Sequence, residues 1–582
     1  MADRLELTWV GKENRPRVEP RILLEDQTRS YHAKAKVTED DLFDNRLIFG
    51  DNLLGLRALE HEFAGRVKCI YIDPPFNADA ASLHYEDFVE HSAWLQLMSQ
   101  RFEVMRRLLA PNGSIFVHLD DTEMAYCKIL LDEVFGRSNY CNTICMTTND
   151  PSGFKATGST IFSTANYLLI YARDKTQVAF HKVHIPKEYD RAYSKVLRNP
   201  SDHYTKWEWD SIDDLVAKGL GFPSMREARR KLGDTIDQEV ASFAAENAER
   251  VFRTAAIGGG ARVKRLKTIE QSRLRRNQVF VHPNEDVPGF YILNGEQILF
   301  YSKRLINIDG KRVPGQLITD VWTDISWTGI AAEGSVEFKN GKKPEALIKR
   351  VLELSTKRGE LVLDSFAGSG TTGAVAHKMG RKWIMVELGE QCHSHVIPRL
   401  RRVIDGSDQS GISRAVSWKG GGGFRYYRIA PSLLAKDEFG NWVVNKQYKA
   451  EMLAEAICKL EGYRYDPSPE VYWQHGRSSE DSFIYVTTQT LLVEQLRRLN
   501  EDVGPKRSLL ICCGSFTAKN LEDFPRLTVK KIPKAVLHRC EWGRDDYSLE
   551  IRNLPEASPV NGGTDTKSPR RRAVSLLNFG EA

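Results

Sequence analysis

The chain has 582 residues, of which 41% are hydrophobic and 27% charged, and its net charge is +6. This length predicts two to four domains, and the composition is that of an ordinary soluble protein. It contains no apolar run of the roughly 18 residues that a membrane helix needs, and no apolar signal-peptide core. Nine scattered cysteines without a Cys-x-x-Cys pair argue against zinc or another structural metal and for a reducing cytoplasm.

The first third of the chain alternates apolar runs of strand and helix type. Residues 1–40 are polar and irregular, and we expect an N-terminal arm there. In the segment 41–175 the predicted elements are a strand at Val67–Ile72, a helix at His91–Leu109 ended by Pro111–Gly113, a strand at Ser114–Leu119, a helix at Glu123–Phe135 and a strand at Tyr167–Tyr171. This alternation predicts an α/β fold with a mostly parallel sheet covered by helices.

The first of these strands runs into the tetrapeptide Asp73-Pro74-Pro75-Phe76. Prolines cannot donate to a sheet ladder, so the strand must end there in a rigid turn. Ligands collect at the carboxyl ends of strands in open α/β sheets. Asp73 and the Pro74 carbonyl could accept the two N–H bonds of a planar base's amino group while Phe76 stacks on its ring. Taken alone, the tetrapeptide is explained better by a plain structural turn.

Between these strands and a later glycine-rich motif, residues 176–320 are rich in charged and aromatic side chains. A basic cluster stands out there, made of Arg262, Lys264, Arg265, Lys267, Arg273, Arg275 and Arg276. Such a cluster can be a solvated helical face, but contact with nucleic-acid phosphates is the favoured interpretation.

The glycine-rich motif, residues 361–373, reads Leu-Val-Leu-Asp-Ser-Phe-Ala-Gly-Ser-Gly-Thr-Thr-Gly, a strand followed by a turn and a helix. Gly368 and Gly370 allow positive φ and close approach of a ligand to the backbone. A phosphate-binding P-loop would need a lysine that is absent here, and the spacing fits a dinucleotide fingerprint poorly. Glu387 ends the next strand, 17 residues beyond Gly370, where an acid binds ribose hydroxyls in doubly wound folds. The motif predicts a nucleoside cofactor without a pyrophosphate.

The last part of the chain carries no motif of catalytic type. Residues 431–555 predict a second α/β unit, with strands at Phe483–Val486 and Ser508–Cys512 around a helix at Leu491–Leu499. Residues 556–582 are rich in Gly, Pro and Ser, and we expect this tail to be disordered.

Together, the two motifs resemble the S-adenosylmethionine-dependent DNA amino-methyltransferases of the β group, in which the catalytic turn precedes the cofactor glycines. The segment 343–348 is similar to the one that precedes the cofactor strand in that group. The segments 50–54 and 418–427 are similar to the modification subunit of type III restriction-modification systems. The resemblance covers roughly residues 40–175 and 320–430. It implies a doubly wound, Rossmann-like methyltransferase sheet with a catalytic half (41–175), a target-recognition insertion (176–320) and a cofactor half (321–430). Many relatives carry Tyr where this chain has Phe76.

The resemblance also implies a set of site residues. S-adenosyl-L-methionine is expected to contact Asp364, Phe366, Gly368, Gly370, Glu387, Asp51 and Lys343. Of these, Lys343 is expected to face the cofactor carboxylate, with a surface lysine as the alternative, whereas Asp51 could instead be a helix N-cap. Tyr85 is a second candidate for base contact, or a packed loop aromatic, in a flap predicted over residues 77–90. The target base must be flipped out of duplex DNA to reach such a site.

The implied function is site-specific methylation of adenine N6 in duplex DNA, within a restriction-modification or phage-defence system. Asp73 at the first catalytic position favours adenine, because relatives that act on cytosine N4 usually carry Ser there; the cytosine activity stays an alternative. A further alternative is a DNA-recognition subunit that directs a separate helicase-nuclease. RNA or protein-amide methylation is disfavoured, because the amide group resembles Asn-Pro-Pro-Tyr. Expected partners are double-stranded DNA, a restriction helicase-nuclease subunit and a second copy of the chain, with no membrane.

Overall fold

The structure, a computed structural model, describes residues 6–76, 91–148, 163–308, 310–338 and 341–548. Three predictions lie outside this part of the chain: Tyr85, the flap over residues 77–90, and the disordered tail over residues 556–582.

The chain up to residue 172 alternates strands and helices. Its elements are β1 (Leu23–Glu25), β2 (Tyr31–His32), β3 (Asn45–Phe49), α1 (Asn52–Phe63), β4 (Val67–Ile72), α2 (His91–Leu108), β5 (Leu109–Leu119), α3 (Asp121–Leu131), β6 (Tyr140–Thr147) and β7 (Ala165–Ala172). The prediction that Pro111–Gly113 separates a helix from a later strand is wrong, because β5 already begins at Leu109. A register shift against β4 between Val67 and Cys69 accommodates the proline there.

The insertion that follows β7 forms two small antiparallel sheets. Its elements are β8 (His184–Pro186), β9 (Lys195–Leu197), β10 (Trp209–Ser211), α4 (Ile212–Gly219), α5 (Met225–Leu232), α6 (Thr235–Glu246), β11 (Val251–Ala255), α7 (Gly259–Leu274), β12 (Val279–Phe280), β13 (Ile292–Leu293), β14 (Glu296–Phe300), β15 (Leu305–Ile308) and β16 (Lys311–Leu317). One sheet has the order β10-β9-β11-β14-β13-β12 and the other β15-β16-β8. The insertion has apolar clusters of its own, around Val196, Phe252 and Ile269.

The chain then returns to the first sheet. The returning elements are β17 (Val321–Trp322), α8 (Glu345–Ser355), β18 (Leu361–Asp364), α9 (Thr371–Lys378), β19 (Lys382–Glu387), α10 (Ile397–Ile404) and β20 (Gly423–Ile429). In the described residues the main sheet has the order β1-β20-β3-β19-β18-β4-β5-β7-β6-β17, with β2 beside β20. The strands from β20 to β5 are parallel, and β7 is antiparallel to both of its neighbours. The N-terminal segment is thus not wholly irregular, because β1 and β2 pair with β20.

Both faces of the main sheet are buried, as the alternating pattern predicts. Along β4, Ile70 and Ile72 pack with α1, α2 and α3, whereas Cys69 and Tyr71 pack with α8, α9 and α10. The chain leaves β18 into α9 on one face, and after β4 it continues into α2 on the other. The crevice between the carboxyl ends of β18 and β4 is therefore the switch point at which doubly wound sheets bind ligands. The predicted doubly wound, Rossmann-like fold is confirmed.

Residues beyond β20 form a smaller α/β unit. Its elements are β21 (Leu434–Lys436), β22 (Trp442–Val444), α11 (Ala450–Glu461), β23 (Arg464–Tyr465), β24 (Gly476–Arg477), β25 (Ser482–Val486), β26 (Thr490–Leu491), α12 (Val493–Val503), β27 (Ser508–Cys513), β28 (Ser515–Phe516) and β29 (Leu527–Lys531). Strands β25, β27 and β29 are parallel, with α11 on one face and α12 on the other. The helix predicted at Leu491–Leu499 begins later and extends to Val503.

Candidate active site

The turn that follows β4 is fixed by a buried tryptophan of α2. The indole Nε1 of Trp94 donates a hydrogen bond to the Pro75 carbonyl at 2.7 Å, and Trp94 is fully buried. Because two prolines supply no N–H, carbonyl groups dominate the polar backbone of this turn. No donor among the described residues reaches the Pro74 carbonyl, which stays available as an acceptor.

Asp73 lies at the carboxyl end of β4 with its two oxygens in different states. Its Oδ2 accepts a hydrogen bond from the Lys343 ammonium, whereas its Oδ1 is buried without a hydrogen-bond partner. Burial raises the pKa of the Asp73 carboxyl above its usual range, and the Lys343 ammonium opposes that rise. A buried acceptor with no donor is unfavourable in water-excluded surroundings, so Oδ1 is the oxygen that a ligand N–H would satisfy.

Lys343 reaches this site from the segment before α8. Its Nζ lies 5.0 Å from the centroid of the Phe76 ring and also donates to the Gly341 carbonyl at 3.1 Å. The side chain is only 8% exposed, which excludes a freely solvated surface lysine. In the structure Lys343 pairs with the carboxylate of Asp73, and its contact with a cofactor carboxylate stays a prediction.

A buried histidine that the sequence analysis missed lies beside Phe76. The His118 ring is centred 5.8 Å from the Phe76 ring, its Nε2 is 3.0 Å from the Asn166 amide nitrogen, and its Nδ1 is 2.9 Å from the Tyr71 hydroxyl. Burial holds the pKa of His118 well below its usual range, and the Lys343 ammonium adds to that effect. An amide nitrogen only donates, so Nε2 accepts and the proton of the neutral ring lies on Nδ1. A polar residue inside the apolar run of β5 was the available signal.

The glycine-rich turn after β18 is built from backbone amides and two acids. The Gly368 N–H donates to Glu387 Oε2 at 2.7 Å, and the Phe366 N–H donates to Asp364 Oδ1 at 2.9 Å. Gly368 and Gly370 have φ of +52° and +76°, in the region that favours glycine. A Cβ at Gly370 would meet Val396 Cγ1 at 3.0 Å, so that residue packs against the protein.

The two acids at this edge are both buried. The pKa of Asp364 is raised to about 7, mainly by burial; hydrogen bonds from Thr372 and the Phe366 N–H lower it, and the nearby Asp73 and Glu387 charges raise it. Glu387 is 2% exposed, and its Oε1 accepts from the Gly389 N–H at 2.9 Å and from Gln391 Nε2 at 2.8 Å. The contact of Glu387 with ribose hydroxyls stays a prediction.

Asp51, expected among the cofactor contacts, is a helix N-cap in the structure. Its Oδ1 accepts from the amides of Leu53 and Leu54 at 2.8 and 3.0 Å. Its Oδ2 pairs with Arg101 at 3.2 Å and accepts from the Tyr547 amide at 3.0 Å. Asp51 is 1% exposed, and with four donors around it the carboxylate has little capacity left for a cofactor.

The basic cluster of the insertion lies on and just after α7, but its members do not share one face. The prediction that Arg265 contacts DNA is wrong: it is 3% exposed, pairs with Glu285, and lies 3.9 Å from the centroid of the Phe290 ring. Lys264 is exposed and pairs with Asp286. Exposed residues without an acidic partner among the described residues are Arg262, Lys267, Arg273, Arg275 and Arg276.

Two kinds of feature are absent from the described residues. No helix there is long and apolar enough to cross a lipid bilayer. Within the same ranges no group of three or more His, Cys, Asp or Glu side chains is arranged to hold a metal ion.

The arrangement defines an open α/β sheet with an acidic, glycine-lined crevice at its switch point. Residues 67–397, more than half of the chain, match the model of a family described as DNA methylase, and the chain belongs to that family. The match contains both the Asp73 turn and the glycine-rich turn.

Individual relatives agree with the family assignment. The chain is 31% identical over 481 residues to a protein of Haemophilus influenzae described as the probable HindVI Mod subunit of a type III restriction-modification enzyme, covering 79% of this chain and 63% of that protein. It is 23% identical to the Escherichia coli EcoP15I Mod subunit, covering 94% and 91%. Of the first three curated relatives that it matches, the chain spans 63%, 49% and 60% of the length. Among solved structures, the cytosine-N4-specific PvuII DNA methyltransferase is matched with a TM-score of 0.31 and 13% identity, over 67% of this chain and 98% of that one.

Proposed function

We propose that the protein transfers a methyl group from S-adenosyl-L-methionine to adenine N6 at a specific site in duplex DNA. One observation carries this proposal: two hydrogen-bond acceptors lie side by side at the end of β4. They are the buried Asp73 Oδ1, which has no partner, and the neighbouring Pro74 carbonyl. Two acceptors on adjacent residues match the two N–H bonds of one exocyclic amino group. Membership of the DNA methylase family makes a DNA base the natural source of that group.

The protein groups at this edge would hold and activate the amino group. The nitrogen is a poor nucleophile because its lone pair is delocalised into the ring. Asp73 and the Pro74 carbonyl, accepting from its two N–H bonds, would draw it toward a tetrahedral geometry while Phe76 packs on the ring. Positioning of this kind lowers a barrier by several kcal/mol. In the transfer, the N–C bond would form as the donor's C–S bond breaks, and the methylated nitrogen would then release its proton to solvent.

The crevice at the end of β18 fits a nucleoside-type methyl donor. A Cβ at Gly368 would have the Phe366 carbonyl oxygen, at 3.9 Å, as its nearest neighbour, so this glycine leaves open space at the turn. The Ser365 hydroxyl is buried without a hydrogen-bond partner. We propose that the main chain around Gly368 and the side chains of Phe366, Asp364 and Glu387 hold the donor, which supplies an activated methyl group on a sulfonium.

The choice of adenine over cytosine rests on Asp73. Both bases present an exocyclic amino group, and the family covers cytosine-N4 as well as adenine-N6 enzymes. We favour adenine because an acid at the first catalytic position resembles the adenine enzymes, whereas cytosine enzymes usually carry Ser. Cytosine N4 is the second candidate.

We propose that the insertion provides the contacts that select the DNA site. Helix α7 turns Thr268, Ile269 and Ser272 toward the insertion's own core and leaves Arg262 and Lys267 exposed. Exposed cations without acidic partners are the groups that bind phosphates. The names of the relatives as Mod subunits support a restriction-modification setting, in which a separate helicase-nuclease and a second copy of the chain would be partners.

The proposal is tested by single-molecule sequencing of genomic DNA from a methylation-deficient host that expresses the chain. We expect N6-methyladenine at one short motif, its loss in Asp73→Ala, and its retention in Asp481→Ala, which removes an exposed carboxylate of the C-terminal unit. If N4-methylcytosine is the only product, the target base is cytosine, as in the second candidate function. If no base is methylated but the purified protein still binds a specific DNA site, the chain is better explained as a DNA-recognition subunit that does not methylate.

A further inference from the structure

The ammonium group of Lys343 is held between two side chains that the proposed reaction uses, and the reaction itself assigns it no role. It pairs with Asp73 Oδ2 and lies 5.0 Å from the Phe76 ring centroid. The Lys343 side chain is 8% exposed and that of Asp73 is 19% exposed. With so little solvent, the attraction between the two charges is screened less than at the surface, and the contact restricts the geometry of both side chains.

The segment that carries Lys343 is clamped on both sides of this residue. Lys342 donates to three backbone carbonyls, of Ala331 at 3.0 Å, of Val336 at 2.9 Å and of Glu333. On the other side, the Glu345 N–H donates to Glu333 Oε2 at 2.9 Å.

A buried ion cluster extends this clamp into the cofactor half. The carboxylate of Glu345 binds Lys378 of α9 and Arg399 of α10, each at 2.8 Å, and all three side chains are 0% exposed. The backbone flanking Lys343 is therefore tied to the helices behind the glycine-rich turn. This fixed backbone places the Lys343 side chain against Asp73.

We propose that Lys343 is a positioning residue: by holding Asp73 through Oδ2, it leaves Oδ1 directed to accept the N–H of the target amino group. Oδ1 is the buried oxygen that has no partner. The target amino group rests on the proposed function, whereas the Lys343–Asp73 pair is present in the structure independently of it.

Burial raises the pKa of Asp73, and the Lys343 ammonium opposes that rise. The titratable groups that interact with Asp73 are Lys343 from the segment before α8, Asp120 after β5, Asp364 at the end of β18 and Tyr71 from β4. The histidine nearest to them is His118 of β5, which lies beside Tyr71 and Phe76. Two of these are acids, the tyrosine is neutral, and burial keeps the histidine neutral as well. Lys343 thus supplies the positive charge against which Asp73 ionises.

The first test follows methylation across a pH series in three variants. Lys343→Met removes the ammonium, Lys343→Arg keeps a cation, and Lys357→Met removes an exposed lysine just past α8 as the control. For Lys343→Met we expect kcat to fall by about 10- to 100-fold and its acid limb to move to higher pH, because Asp73 then binds its proton more tightly. The KM for S-adenosylmethionine should change less than about twofold.

In the same series, Lys343→Arg should return the acid limb toward its wild-type position, and Lys357→Met should match the wild type. A rise in KM for the methyl donor, with kcat and the acid limb unchanged, would overturn the proposal and assign Lys343 to the cofactor carboxylate.

The second test needs no methylation and so separates this inference from the proposed function. A double-mutant cycle combines Lys343→Met with Asp73→Asn, with the thermal unfolding midpoint as the readout. We expect Lys343→Met to lower the midpoint of the wild-type chain but to have less than half that effect in the Asp73→Asn background, because the pair is already broken there. Equal effects in both backgrounds would show that the two side chains do not interact, even if the wild type proved to be an active methylase.

Discussion

The carboxyl edge of the main sheet carries acidic residues that are buried, whereas helix α7 of the insertion carries basic residues that are exposed. At the edge, Asp73, Asp364 and Glu387 are withdrawn from solvent, and each is held by a small number of fixed donors. On α7, Arg262 and Lys267 project into solvent. Burial shifts proton affinities and fixes geometry at the edge, whereas exposure preserves full charge and mobility on the helix. Chemistry on one atom needs the first arrangement, and binding of a polyanion uses the second.

The largest effect is expected from Asp364, because the pKa of this acid is raised close to neutral pH. Its pKa is about 7 in the folded protein, against about 4 in an unfolded chain. The folded state therefore binds this proton more tightly, and the stability contributed by the neutral carboxyl is lost as the pH rises from about 4 to 7.

Asp364→Asn should remove that dependence. We expect the variant to be more stable than the wild type at pH 8, by at most about 4 kcal/mol, and nearly unchanged at pH 4. Urea unfolding at both pH values measures the difference. Equal stabilisation at the two pH values would mean that Asp364 titrates normally and that burial at the edge does not set its charge.

Arg265 tests whether burial, and not position on α7, decides the role of a basic residue. Arg265→Met leaves Glu285 buried without its partner, and we expect the insertion to lose about 3 kcal/mol of stability. Arg262→Met, on the exposed face of the same helix, should change stability by less than about 0.5 kcal/mol. Limited proteolysis and thermal unfolding compare the two; similar stabilities would place Arg265 among the solvated residues.

Trp94 tests how far the edge depends on fixed geometry. Trp94→Phe keeps an aromatic ring but removes the donor to the Pro75 carbonyl, and the unsatisfied acceptor costs about 1–3 kcal/mol. Because the turn then loses its anchor, we expect kcat to fall by about tenfold with DNA affinity unchanged. Trp442→Phe, in the C-terminal unit, is the control. A fall in DNA affinity with normal kcat would contradict this assignment.

The smallest effect is expected on the salt dependence of DNA binding. Lys267→Ala should lower the slope of log affinity against log salt by about 1, as for the loss of one phosphate contact. Lys264→Ala should lower it less, because Asp286 already neutralises that ammonium. Fluorescence anisotropy at several salt concentrations measures both. An unchanged slope for Lys267→Ala would remove α7 from the DNA interface.

The fold was largely predictable because its signals are local. Apolar runs such as Val67–Ile72 and the glycine-rich turn specify strands and a strand–turn–helix unit without reference to the rest of the chain. The pairing of β18 with β4, by contrast, joins segments far apart in sequence, and no local signal specifies it. The misplaced start of β5 has a local cause, since Pro111 is a turn residue that a bulge admits into a strand.

The site was predicted in its residue types more than in its contacts. The acids and glycines were found from their positions after strands, but their partners come from distant segments. Asp51 was equally consistent with an N-cap and a cofactor ligand until Arg101 and Tyr547 were seen beside it. Arg265 faces the core because it pairs with Glu285, 20 residues away. The sequence of α7 is too polar for its helical periodicity to show which basic residues are buried.

The adjacency of β4 and β18 has a consequence for synthesis of the chain. While the ribosome has made only the first half, β4 has β5 on one side and an unpaired edge on the other. That edge is closed only after residues 361–364 have been translated, once the whole insertion has emerged. The nascent protein therefore exposes a hydrophobic strand edge for the time needed to make the insertion, and other strands can pair with that edge wrongly. Prompt, independent folding of the insertion would shorten this period.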